Sequence, residues 1–213
     1  MSIKGIAFDY GGVISFFQDG ETMKDLADMA GIDVSLMDRI YWNNRLIYDR
    51  GLVDGNTFFK NILAGIGVFT DSGLLEKMIS RDLESWSHVN PETEDLIREL
   101  KSSGLKTAVL SNIVTDFLER VKNTLPVFGL FDVSVFSCDV GSVKPEEKIY
   151  RLLLSQLGCD PQELVFFDDR EVNVRAAYEL GINAFLWQNP EAARRKLEIL
   201  CAGSFGSGGP GQA

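Results

Sequence analysis

Two patterns of apolar residues divide the chain. In residues 15–88 the apolar positions recur three and four residues apart, a spacing typical of helices that each bury one face. Short breaks rich in glycine and aspartate separate these runs. The pattern predicts four helices and no strand, with the helices over residues 21–30, 34–49, 56–66 and 72–86.

In the rest of the chain, short apolar runs alternate with helical segments. Such runs, bounded by Gly, Asp or Ser, are typical of buried parallel strands. The predicted strands cover residues 3–8, 105–110, 133–136, 164–167 and 182–187, and the predicted helices cover 90–104, 114–124, 145–158, 171–180 and 191–200. This alternation predicts an α/β fold with a doubly wound parallel sheet.

The helical block interrupts the alternation directly after the first strand, so the predicted sheet is built from two pieces of sequence. We expect a core made of residues 1–15 and 89–201 and an inserted, all-helical cap made of residues 16–88. Residues 202–213 are rich in glycine and serine, and we expect them to form a disordered tail.

Composition narrows the class of partner. The chain has 213 residues, of which 45% are hydrophobic and 24% are charged, as in ordinary globular proteins. Its formal charge of -10 argues against nucleic acids and anionic membranes, which need a concentrated basic face, and leaves small molecules or proteins as partners. We expect no signal peptide and no bilayer-spanning segment, and the three cysteines lack metal-site spacing. We therefore expect reduced thiols and a cytoplasmic location.

Polar side chains stand where several predicted strands end or helices begin. They are Asp9 after the first strand, Ser111 and Asn112 after the second, Lys144 before a helix, and Asp168 with Asp169 after the fourth strand. An Asp before glycine is also ordinary turn chemistry, so Asp9 alone is weak support for a site. Because parallel strands end at one edge of a sheet, we nevertheless expect all of these residues to converge on one crevice.

Three carboxylates in one crevice need a cation. Two unit charges 4 Å apart repel by about 4 kcal/mol at an effective dielectric constant of 20. A hard divalent ion with oxygen ligands, Mg²⁺ above all, would relieve this repulsion, and Lys144 adds a second positive charge. A carboxylate nucleophile, positive charge and hydrogen-bond donors are what phosphoryl transfer requires.

Four ordered motifs resemble those of the haloacid dehalogenase (HAD) superfamily. They are FDYGGV at 8–13, VLSN at 109–112, VKPEEKIY at 143–150 and VFFDD with a following Asn at 165–173. The resemblance spans residues 1–200 and implies a Rossmann-like core with a helical cap. The YDRG segment at 48–51 is similar to the branch that contains sugar-1-phosphatases and the N-terminal domain of soluble epoxide hydrolase.

The resemblance also implies a role for each motif. Asp9 would form an aspartyl-phosphate, and Ser111, Asn112 and Lys144 would hold the phosphoryl group. Mg²⁺ would be bound by Asp9, the backbone carbonyl of Gly11, and Asp168 or Asp169.

One position departs from the family pattern. Phosphatases of the superfamily usually carry a second Asp two residues after the nucleophile, as general acid and base, and here that residue is Gly11. Such a group contributes about 10²–10⁴ in rate, so its loss favours substrates with good leaving groups, such as anomeric or acyl phosphates. His88 and Asp19 are candidate substitutes, although a hinge role for the first and a helix cap for the second are the simpler interpretations.

The sequence therefore predicts a Mg²⁺-dependent phosphatase acting on a small phosphorylated metabolite, with sugar phosphates favoured. Two alternatives stay open: a metal-free, halide-displacing hydrolase, and a catalytically impaired binding or regulatory protein. In the second predicted helix, the aromatic and hydrogen-bonding residues at 41–45 either select the substrate or form an ordinary solvent face.

Overall fold

A five-stranded parallel sheet forms the centre of the computed structural model, which describes residues 2–18, 20–122 and 124–200. The spatial order of the strands is β3-β2-β1-β4-β5, with β1 in the middle. The strands are β1 (Gly5–Phe8), β2 (Lys106–Ser111), β3 (Val133–Phe136), β4 (Leu164–Asp168) and β5 (Asn183–Leu186). β1, β4 and most of β2 are buried on both faces, which explains their continuous apolar runs.

Helices cover both faces of the sheet. On one side α8 (Glu147–Leu157) and α9 (Glu171–Glu179) share a buried cluster with Ala7 and Phe166. On the other side α5 (Pro91–Ser102), α6 (Thr115–Val121) and α10 (Pro190–Leu200) pack with Ile6 and Phe8. The predicted α/β class with a doubly wound parallel sheet is confirmed.

Four helices lie between β1 and α5 and form the inserted cap. They are α1 (Gly20–Ala30), α2 (Val34–Asp49), α3 (Gly55–Ala64) and α4 (Ser72–Ser85). The side chains of Asp33, Asp54 and Asp71 accept hydrogen bonds from backbone N–H groups in the first turns of α2, α3 and α4, so the acidic breaks seen in the sequence are helix caps.

The chain passes between core and cap along two adjacent segments. Ser15 pairs with Val89 in an antiparallel bridge, and the Phe16 N–H donates to the His88 carbonyl at 2.9 Å. The predicted boundaries at residues 15 and 89 fall at this crossing, and the division into domains stays a prediction.

The C-terminal end of α2 rests on the core. The Ser137 hydroxyl donates to the Asp49 carbonyl at 2.5 Å, and Arg50 forms an ion pair with Glu146. Gly51 has a positive φ of 67°, and a Cβ there would lie 2.7 Å from the Cys138 carbonyl oxygen. The segment at 48–51 is therefore a contact between cap and core that only glycine fits at its last position.

The structure refines several boundaries. α8 begins at Glu147, two residues after Pro145. The short helix α7 (Ser137–Val140) and a 3₁₀ segment at Pro126–Leu130 were not predicted because they are too short to show a periodicity.

Asp19, Cys201 and the predicted tail at 202–213 lie outside the described residues. Among the described helices, none combines the length and apolar character needed to span a bilayer.

Candidate active site

Asp9 stands at the carboxyl end of the central strand. Its N–H donates to the Phe167 carbonyl at 2.9 Å, continuing the pairing of β1 with β4 by one residue. Because Phe8 is paired with Phe167, the next residues, Asp9 and Asp168, leave adjacent strands at the same level. The register thus brings together two acids that are far apart in the sequence.

The ammonium group of Lys144 lies between these two acids. Its Nζ is 2.7 Å from Asp9 Oδ1 and 2.7 Å from Asp168 Oδ2, and all three side chains are almost fully buried. Asn112 holds the lysine backbone on both sides: its Oδ1 accepts from the Lys144 N–H at 2.8 Å, and its Nδ2 donates to the Lys144 carbonyl at 3.0 Å. Asn112 therefore positions Lys144, a contact that the sequence does not reveal.

Asp168 and Asp169 differ in their surroundings. Asp168 is fully buried, and its Oδ1 accepts from the Arg170 N–H and from Asn173 Nδ2, both at 2.9 Å. Asp169 is partly exposed. Carboxylate oxygens of Asp9, Asp168 and Asp169 all lie within 4.8 Å of one another, so this all-oxygen set fits a hard divalent cation.

Burial, together with the excess of acid at this edge, shifts pKa values. Burial raises the pKa of Asp9 to about 7 despite the nearby Lys144, and the charges of Asp168 and Asp169 add to the rise. The pKa of Asp169 is also raised, first by burial and then by Asp168. Burial opposes the charged form of Lys144, but Asp168 and Asp9 outweigh it and its pKa is raised. One ammonium group does not compensate three carboxylates, as expected for a cation site.

Ser111 is the last residue of β2, on the strand next to β1, and its hydroxyl lies 3.4 Å from the Asn112 carbonyl.

Sequence reasoning missed Glu146. Its carboxylate accepts from the Ser142 hydroxyl at 2.9 Å and from the Val143 N–H at 3.2 Å, and it pairs with Arg50 of the cap. The acid that follows Lys144-Pro145 in the sequence was the available signal.

The structure separates the five α2 residues suggested as substrate contacts: those at 42–44 are exposed, and Tyr41 and Arg45 are not. Tyr41 is fully buried and Arg45 is 9% exposed, and both are bound inside the cap. The Tyr41 hydroxyl donates to Asp82 at 2.7 Å, and Arg45 Nε donates to Asp49 at 2.8 Å. These two side chains stabilise the cap interior and do not face a substrate.

A family model for haloacid dehalogenase-like hydrolases matches residues 3–181. The chain belongs to the haloacid dehalogenase-like hydrolase family. It is therefore a hydrolase, and the resemblance carried by its four motifs is confirmed.

Among curated relatives of this HAD-like hydrolase, phosphatase MT3486 of Mycobacterium tuberculosis (strain CDC 1551 / Oshkosh) is 25% identical over 87% of this chain and 88% of its own length. Two Mus musculus proteins match about half of the chain: acyl-CoA dehydrogenase family member 10 (37% identical over 111 residues) and bifunctional epoxide hydrolase 2 (33% over 110 residues). The matched regions span only 10% and 20% of those two mouse proteins.

A HAD family enzyme from Bacteroides thetaiotaomicron, solved in complex with magnesium and inorganic phosphate, has the same fold. The TM-score is 0.71 at 22% identity, over 88% of this chain and 95% of that chain.

Gly11 marks where this HAD-like hydrolase departs from the expected phosphatase motif. A Cβ at this position would lie 3.1 Å from the Trp86 ring, whose residue follows the last cap helix. The space that a side chain at position 11 needs is thus partly taken by an aromatic ring. The predicted substitute His88 is exposed at the crossing, where its carbonyl accepts from the Phe16 N–H.

Proposed function

We propose that this HAD-like hydrolase is a phosphatase that removes the phosphoryl group from a small phosphorylated metabolite, with sugar phosphates as the preferred class. The observation that carries the proposal is the buried contact of Asp9 with Lys144 inside a cluster of three carboxylates. A carboxylate beside an ammonium group at the open edge of a parallel sheet is suited to attack phosphorus.

Asp9 acts as the nucleophile. Its Oδ1 accepts from the Tyr10 N–H at 2.6 Å and from Lys144, which orients the carboxylate. In the first step an Asp9 oxygen forms a bond to phosphorus, the bond from phosphorus to the leaving oxygen breaks, and the leaving group takes a proton from water. In the second step water attacks phosphorus, the bond to Asp9 breaks, and inorganic phosphate and free Asp9 result.

Lys144 and Ser111 hold the transferred group. The lysine charge offsets the repulsion between the Asp9 carboxylate and the phosphate, and the Ser111 hydroxyl supplies a donor for a phosphoryl oxygen. Asn112 acts indirectly, through the two hydrogen bonds that fix the Lys144 backbone, and also as a donor toward the substrate.

The oxygen ligands for Mg²⁺ would come from Asp9, the Gly11 backbone carbonyl, and Asp168 or Asp169. When bound, the ion supplies positive charge that neutralises the phosphate. Asn173 and the Arg170 N–H keep the Asp168 carboxylate in place through hydrogen bonds of 2.9 Å.

We expect the preferred substrates to have leaving groups that depart without a proton from a general acid of the enzyme. Position 11 carries no carboxyl group, so a positioned acid worth about 10²–10⁴ in rate is missing there. Anomeric and acyl phosphates lose this contribution at lower cost than alkyl phosphates, because their leaving oxygens are less basic. The phosphatase name of the Mycobacterium tuberculosis relative and the magnesium and phosphate in the Bacteroides thetaiotaomicron structure support the proposal.

The test is a panel of acetyl phosphate, 4-nitrophenyl phosphate and sugar phosphates, assayed with Mg²⁺ and with a chelator. We expect Mg²⁺-dependent phosphate release, and we expect mass spectrometry of the acid-quenched protein to find one phosphoryl group on Asp9. Asp9→Asn should lower kcat/KM by at least about 10⁴ because it removes the nucleophile. Asp95→Asn, an exposed acid on α5, is the matched control and should behave as wild type.

Two results would contradict the proposal. Turnover that survives chelation, together with halide release from a 2-haloacid, would favour the halide-displacing alternative. Binding of Mg²⁺ and inorganic phosphate by calorimetry without hydrolysis of any ester in the panel would favour a binding or regulatory protein.

A further inference from the structure

A cleft of about 350 Å³ opens beside the acid cluster, a volume within the range of small-ligand pockets. Asp169 belongs both to the wall of this cleft and to the carboxylate cluster. Gly12, next to the proposed carbonyl ligand Gly11, lines the same space. Through Asp169 the cleft therefore adjoins the carboxylate cluster that contains Asp9.

Aromatic rings form much of the cleft wall. Phe16 and Phe17 line it and are 51% and 63% exposed, which is unusual for phenylalanine. Trp187 lines it too, and its backbone N–H donates to the Asp168 carbonyl at 2.8 Å. This hydrogen bond ties the main chain at Trp187 to the strand that carries the acids. Exposed aromatic faces at a site of proposed chemistry provide flat apolar surfaces for a ring.

The polar groups of the cleft are amides and acids. Asn90, Gln188 and Asn189 line it. The side-chain oxygens of Asn90 and Asn189 accept from backbone N–H groups of α5 and α10, and their NH₂ groups can donate to hydroxyl groups. Among the described residues that line the cleft, the charged ones are Glu92 and Asp169, both acidic. A leaving group with a second phosphate or a carboxylate would meet the negative charge of Glu92 here, and no lysine or arginine is among the described lining residues.

We propose that this cleft is the leaving-group subsite and that it selects a neutral, hydroxyl-rich ring, such as an uncharged sugar, against an anionic one. The inference rests on the proposed phosphatase function and adds the place and the charge of the recognised group. The aromatic faces cover the apolar face of the ring, the amides bind its hydroxyls, and Glu92 repels anions. Specificity then lies in residues 15–17, the start of α5 and the loop between β5 and α10.

The test compares two esters with the same ring, glucose 1-phosphate and glucuronic acid 1-phosphate, which differ in a hydroxymethyl and a carboxylate group. We expect wild-type kcat/KM to favour the neutral ester by at least about fivefold, the effect of roughly one like-charge contact across water. Glu92→Lys should shrink or reverse this ratio. Glu179→Lys changes charge equally at the far end of α9, and it should keep the wild-type ratio.

Phe16→Ala tests the aromatic wall. We expect it to raise KM for glucose 1-phosphate several-fold and to change KM for the ringless glycerol 3-phosphate less. Equal changes for both esters would overturn the role of the ring face.

4-Nitrophenyl phosphate separates failure of the subsite from failure of the phosphatase proposal. If it is hydrolysed while the two ring esters react equally, or Glu92→Lys leaves their ratio unchanged, the subsite is wrong and the phosphatase stands. The subsite is also wrong, and the phosphatase again stands, if neither ring ester is hydrolysed and neither inhibits hydrolysis of 4-nitrophenyl phosphate. If no ester is hydrolysed, the phosphatase proposal itself fails and the subsite fails with it.

Discussion

The core and the cap each bury a cluster of charged side chains, and the two clusters differ in their access to solvent. In the core, Asp9 and Asp168 flank Lys144, and the neighbouring Asp169 reaches the cleft. In the cap, Arg45 pairs with Asp49 at 2.8 Å, and the fully buried Asp82 accepts from the Tyr41 hydroxyl at 2.7 Å and from Gln18 Nε2 at 3.1 Å. Similar residues thus form the proposed catalytic cluster in one region and serve packing in the other.

The two clusters also differ in the groups that compensate their buried charges. In the cap, the Arg45 guanidinium lies 5.1 Å from the Tyr41 ring centroid and 5.2 Å from that of Tyr48, and protein groups surround it. In the core, one ammonium group faces three carboxylates beside a cleft. The uncompensated negative charge favours binding of a cation, and the cleft gives ligands access to the cluster. Burial of charge alone therefore does not identify an active site.

The largest expected effect that distinguishes the cap cluster from the core cluster is the loss of stability when Arg45 is replaced. Arg45→Leu leaves Asp49 and Asp82 without their cation, which costs roughly 3–5 kcal/mol of unfolding free energy when a buried pair is broken. We expect urea denaturation to show this loss, while kcat of the remaining folded protein stays within a few-fold of wild type.

Arg39→Leu is the matched control, because Arg39 lies on the same helix with an exposed side chain. A stable Arg45→Leu protein with strongly reduced kcat would show that the cap cluster serves catalysis after all.

A second effect is the pH dependence that Asp82 brings to stability. Burial raises the pKa of Asp82 to about 6, above the value of about 3.9 in an unfolded chain, so the folded protein holds this proton more tightly. The contribution of Asp82 to stability is thus largest below pH 4 and falls by about 3 kcal/mol as pH rises to about 6.

Asp82→Asn removes this titration. Its unfolding free energy relative to wild type should improve steadily between pH 4 and pH 6.5 and then level off, as measured by urea denaturation at each pH. A difference that is the same at every pH would contradict the assigned pKa shift.

The smallest effect concerns Gly11. Gly11→Asp restores the residue type of the usual general acid, but its Cβ meets the Trp86 ring at 3.1 Å, and it adds a fourth carboxylate to the core cluster. We expect a loss of about 1–3 kcal/mol in stability from overpacking and no gain in turnover of glycerol 3-phosphate.

Gly11→Asp combined with Trp86→Leu should recover part of that stability and raise alkyl-phosphate turnover above that of Gly11→Asp alone. Trp86→Leu by itself controls for loss of the ring. A tenfold gain from Gly11→Asp alone would show that Trp86 does not block an acid at this position.

Local sequence determined the helices and strands and the positions of the candidate site residues at the ends of strands. Apolar runs that end at Asp9, Ser111 and Asp168 identify strands and their carboxyl ends, because a strand buries both faces until a polar residue stops it. Helical spacing likewise predicted the four cap helices, and acidic breaks marked the starts of α2, α3 and α4.

Tertiary structure decided which polar side chains share surroundings. Helical periodicity places Tyr41 and Arg45 on one face of α2, but only the packing of α4 against that helix shows that the face is closed by Asp82. Asn112 holds the backbone of Lys144, and Arg50 of the cap pairs with Glu146, through contacts between distant parts of the chain. The missing carboxyl at Gly11 is visible in the sequence, whereas the Trp86 ring beside it is not, because the cap brings it there only when the chain folds.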